Sequence, residues 1–77
     1  MTPAEADQRI LLSQTTFDGY RKMIERFHWP VEDLPLFEEE IKVLEAIAEE
    51  HPGKINQLIS LVAQWAALHN RLQAKIH

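Results

Sequence analysis

The sequence predicts an all-α fold: three helices packed antiparallel, up-down-up, as a bundle or an extended helical hairpin, in one domain spanning residues 1–77. Three observations lead there. Apolar residues recur every three or four positions in three separate stretches. Two proline-bearing breaks, His28 to Pro35 and His51-Pro52-Gly53, divide those stretches. No segment alternates apolar with polar residues as a half-buried strand does.

Helix one is predicted over residues 3–27. Thr2-Pro3-Ala4-Glu5 is a capping box with proline at the first helical position, where its missing N–H costs nothing. At 100° per residue, Ala6, Ile10, Ser13, Phe17, Tyr20, Ile24 and Phe27 share one arc, with Leu12 and Met23 at its edge. Asp7, Gln14, Asp18, Arg21, Lys22 and Glu25 lie opposite. Glycine costs about 1 kcal/mol against alanine inside a helix, but the phase is unbroken through Gly19, which argues for one helix.

Pro30 and Pro35 forbid a continuous helix through the joint and push Trp29 and Leu34 toward extended backbone. Trp29 is expected to lie as a lid on the core. Helix two follows over 35–50, its apolar arc formed by Leu36, Phe37, Ile41, Val43, Leu44, Ile47 and Ala48. At the second break, Gly53 is expected to supply a positive φ that ends the helix. Helix three is predicted over 54–76. Ile55, Leu58, Val62, Trp65, His69, Leu72 and Ile76 stand at a/d spacing, and Ile59, Leu61, Ala66 and Leu68 widen the face to about half the circumference.

That width predicts a second packing partner. A short middle helix cannot cover two longer ones, so Ile10 and Leu12 of helix one and Leu72 and Ile76 of helix three are expected to overhang. The small and branched side of helix three (Ile55, Ile59, Val62, Ala66) suits close approach within the chain. The bulky side is then the expected partner or dimer interface: Leu61, Trp65, Leu68, His69, Leu72 and Ile76. A homodimer is the simplest closed assembly, and a foreign protein partner is the other expectation.

Composition narrows the function classes. The chain has no cysteine, which excludes disulfides and thiolate metal sites. Its amino terminus is not a signal peptide, and its longest charge-free run, Ile55 to Asn70, is too short and too polar to cross a membrane. A cytoplasmic protein is expected. Net charge is −4, concentrated in residues 31–50, where eight acids face Lys42 alone; residues 54–77 carry Lys54, Arg71 and Lys75 and no acid. An acidic helix beside the third one opposes phosphate binding, so no nucleic acid is expected, although helices two and three superficially resemble a helix-turn-helix. We therefore expect no duplex DNA or RNA binding that persists at about 150 mM salt in a filter or mobility assay.

Two polar residues, Glu40 and His69, sit within apolar arcs and are candidates for a buried polar pair. Register argues against their meeting, because the turn near residue 52 sets Glu40 level with residue 64 or 65; each is expected at an interface edge with its tip wet. His28, His51, His69 and His77 have no metal-ligand spacing, and neither Ser13 nor Ser60 has an activating histidine nearby in sequence. No catalytic residue, metal ligand or cofactor site is predicted. The leading expectation is a non-enzymatic helical interaction module: an adaptor, regulator or chaperone-like protein. A nucleic-acid-binding regulator and a small helical enzyme with an interfacial carboxylate site are the alternatives.

Overall fold

The computed structural model describes residues 1–76, leaving His77 outside the described residues. They form three α-helices and no strand: α1 (Pro3–Glu25), α2 (Leu34–Glu50) and α3 (Ile55–Gln73). One turn of 3-10 helix, Val31–Asp33, leads into α2, and another, Pro52–Lys54, leads into α3. The all-α three-helix arrangement is the one periodicity predicts.

Local chemistry starts α1 as expected. The Thr2 hydroxyl accepts from the Glu5 N–H at 3.2 Å, and the Glu5 carboxylate accepts from the Thr2 N–H at 2.8 Å. The helix runs unbroken through Gly19, where an added Cβ would meet nothing within 4 Å. Gly19→Ala should therefore stabilise the protein by about 0.4–1 kcal/mol in urea melts, by narrowing the unfolded ensemble.

The end of α1 differs from expectation. The helix stops at Glu25, and Phe27, which periodicity placed on the buried arc, is 84% exposed with φ of 60°. The Phe27 N–H donates to Ile24 O and the His28 N–H to Met23 O, both at 2.9 Å. These two bonds satisfy carbonyls that the helix end would otherwise leave open, and they require a left-handed residue where glycine is usual. Phe27→Gly should stabilise by about 1 kcal/mol, since the strain disappears and almost no buried surface is lost. An unchanged or lower urea midpoint would contradict this.

The second break also works differently. Gly53 has no positive φ; it lies in the 3-10 turn, whose Lys54 N–H donates to His51 O at 2.9 Å. Reversal comes instead from the non-helical His51 (φ −131°, ψ 75°).

Within the fold, α2 and α3 form the close pair, and α1 approaches them less tightly. Ring size sets that spacing. Phe17 and Tyr20 of α1, Phe37 of α2 and Trp65 of α3 meet edge-on, at centroid distances of 5.4 Å (Phe17–Trp65), 4.6 Å (Tyr20–Phe37), 5.9 Å (Tyr20–Trp65) and 5.1 Å (Phe37–Trp65). Around the rings lie Ala6, Ile10, Ile24, Leu44, Ile47, Leu58, Leu61, Leu68 and Leu72, all buried. The predicted overhang is thus only partial. Ile10 and Leu72 are inside, while Leu12 and Ile76 are exposed, as is Leu36 at the start of α2.

Candidate functional site

The bulky side of α3, expected to face a partner, faces the chain's own core. Leu61, Trp65, Leu68 and Leu72 are buried beneath α1 and α2, His69 is half-buried, and of the six only Ile76 is exposed. The physical reason is the ring-filled spacing of α1, which leaves room for large side chains and too much room for small ones. The small and branched side is therefore turned outward. Ile59 is 60% exposed and Ile55 43%, beside the half-buried Val62 and Ala66.

This outward strip forms one wall of an open groove of about 480 Å³ at the hairpin end of α2 and α3. Ile55, Ile59, Val62 and Ala63 line it from α3, with the buried Leu58 as floor; Ala48, Glu45 and Glu49 line it from α2. Helical spacing brings these together, since Ile55, Ile59 and Ala63 repeat every four residues, as do Glu45 and Glu49. Among the described residues neither Glu45 nor Glu49 takes part in an ion pair. The acids beside them are engaged: Glu38 with His69 Nε2 at 3.4 Å, Glu39 with Lys42 at 3.7 Å and Glu50 with the Met1 ammonium at 2.9 Å.

Glu40 and His69 do not pair with each other. Glu40 receives a bidentate guanidinium from Arg9 of α1, and its carboxylate is largely covered, not wet. Burial alone would raise its carboxyl, but hydrogen bonds from Arg9 and Ser13 outweigh that and hold it below the ordinary value of 4.5. The Glu40 bond in turn raises the Arg9 guanidinium. Ser13, fully buried, accepts from Trp65 Nε1 at 2.9 Å. Two polar ties, Arg9 to Glu40 and Trp65 to Ser13, thereby join α1 to α2 and α1 to α3 beside the aromatic cluster. Tyr20 adds a second tie by donating to Asp33 Oδ2 at 2.8 Å; burial and that carboxylate push its hydroxyl up to about 12.

Arg9 and the Ser13–Trp65 bond escaped the reading of the sequence. Ser13 in the middle of an apolar arc, with Arg9 one turn before it, was the available signal. At the other end of α3, Lys75 and Arg71 stand over the half-buried Trp29 ring, 4.4 and 5.6 Å from its centroid.

Among the described residues no three His, Asp or Glu side chains gather as a metal site. No helix among them is long and apolar enough to cross a membrane. Compared with protein-family models, with curated proteins and with solved structures, the chain matches none.

Proposed function

We propose that the protein is a small non-enzymatic helical interaction module, an adaptor, regulator or chaperone-like protein, and that the groove between α2 and α3 is its contact surface. One observation carries this reading: adjacent branched apolar side chains are left open to water on a hairpin whose opposite face is fully committed to the core. Water-exposed Ile55 and Ile59 forgo about 25 cal/mol for each Å² that a partner would cover. The polar pairs Arg9–Glu40 and Trp65–Ser13 serve a different end. Each is satisfied between two helices, which suits a positioning role in the fold and not chemistry on a substrate.

The bulky residues of α3 expected to meet a second copy are covered by the chain itself, so association would use the outward strip instead. Association through the outer groove remains the functional reading. Its test is a photo-crosslinking amino acid placed at Ile59 in cells, with the same group at the exposed Thr15 of α1 as control. A discrete protein adduct from position 59 alone is expected, and its mass shows whether the second component is another copy or a different protein. Equal labelling from both positions, or none from Ile59, would remove the groove as the contact surface.

A further inference from the structure

We propose that the occupant of the groove is an amphipathic helix of another protein with Lys or Arg along one flank. This rests on the reading of the groove as a contact surface, and it adds the partner's chemistry. Length supports a helix. Ile55 to Ala63 covers about 12 Å of rise, enough for about two turns carrying apolar residues four apart.

Charge decides the flank. Glu45 and Glu49 form an acidic rail on the α2 wall with no cation among the described residues paired with it, whereas the α3 residues lining the groove carry no charge. A docked helix therefore meets negative potential on one side only, and its matching residues are basic on that side.

A second copy fits poorly. In a two-fold dimer the same patch meets itself, so two acidic rails would lie in one interface between chains each carrying −4. This chain has little near the groove to offset them: Lys54 holds Asp7 at 2.5 Å, Arg9 holds Glu40, Lys42 holds Glu39, and Arg71 and Lys75 stand over Trp29. Arg21, Lys22 and Arg26 lie toward the carboxyl end of α1, away from the hairpin turn that its amino end meets. The strip is also narrow beside the roughly 20–30 residues per partner of a stable dimer interface.

The test uses two fluorescent, hydrocarbon-stapled helices of about fourteen residues, since unstapled peptides of that length are barely helical in water. Both carry leucines one turn apart; one has a lysine flank and the other a glutamate flank. Fluorescence anisotropy at low salt should show the lysine helix binding at least about tenfold tighter, with the gap shrinking as salt rises. Glu45→Lys with Glu49→Lys should reverse the preference. Ile59→Asp should abolish binding of both helices while leaving the far-ultraviolet spectrum of the protein unchanged, because Ile59 lies outside the core. Equal affinity for the two helices would overturn the charge assignment and leave the contact surface standing. Failure of both, together with a self-adduct from Ile59, would assign the groove to a second copy. Failure of both with no adduct would remove the proposal and the contact surface together.

Discussion

Trp65→Ala should abolish the cooperative folding transition at 37 °C. Trp65 is 1% exposed and touches a ring from each of the other helices, so its loss leaves a cavity where all three converge. Truncations of this kind cost about 3–5 kcal/mol. Ser13 would also lose its indole donor in a fully buried position. A domain of this length has a total stability of roughly 4–12 kcal/mol, so the loss consumes much or all of it. Trp65→Phe separates the two contributions, because it keeps an aromatic ring and deletes only part of the volume and the N–H. Urea and thermal melts should order the three proteins as parent, then phenylalanine, then alanine. An alanine variant melting within about 1 kcal/mol of the parent would show that the ring cluster is not the anchor described.

The Arg9–Glu40 pair should produce an acid response whose pH range depends on which partner is removed. The gap to the parent should close below the ordinary 4.5 for a Glu40 variant and already above it for an Arg9 variant. In the parent, the Glu40 carboxyl is held below its ordinary 4.5, so the pair's stabilisation is fully present above that value. It is lost as pH falls through the lower folded-state value. Glu40→Gln should cost about 1–3 kcal/mol near neutral pH, and the difference from the parent should narrow toward pH 3. Arg9→Met should be destabilising by a similar amount near neutral pH, for a different reason: the carboxylate stays covered without its cation. Burial then dominates and raises the Glu40 carboxyl above its ordinary value. For that variant the penalty should be relieved on acidification, as the buried carboxylate takes up a proton. Glu5 and Glu50 are also held low, by the Thr2 cap and the Met1 ammonium respectively, and steepen the acid limb of every variant alike. The informative quantity is therefore the difference between each variant and the parent in denaturant melts from pH 7 to pH 3. Parallel pH curves for Arg9→Met and Glu40→Gln would exclude the inferred coupling.

What the sequence made legible was local. The Thr2–Glu5 box, the continuity through Gly19 and the position of the two breaks each depend on residues within a turn or two of one another. Leu34, expected extended before Pro35, is nevertheless already helical and opens α2, and Gly53 does not take the positive φ expected of it. That Glu40 and His69 would not meet was legible too: Glu40 holds Arg9, and His69 stands beside Glu38. The inward half of the α3 face was not legible. A helical wheel rates Ile59 and Leu61 as equally apolar, and the choice between them depends on how far away α1 sits, which is a property of three helices at once. The wide separation is imposed by four rings whose meeting cannot be seen from any one stretch. Phe27 shows the same limit at smaller scale: its position fits the periodic arc, but the arc has no meaning once the backbone has left the helix.

The placement of Trp29 under Lys75 and Arg71 makes the protein its own optical gauge. Its two tryptophans occupy unlike surroundings: Trp65 is enclosed and donates its N–H to a hydroxyl, whereas Trp29 is partly wet beneath two cations. Their emission should differ in wavelength and in access to quenchers, with iodide drawn by the cations to Trp29 and excluded from Trp65. Single-tryptophan versions made with Trp29→Phe or Trp65→Phe would assign each signal, and in the intact chain the two colours could be followed together through one denaturation. Coincident curves would mean that the joint and the centre of α3 melt as one unit. An earlier loss at Trp29 would locate fraying at the carboxyl end of α3, where the cations that cover the ring reside.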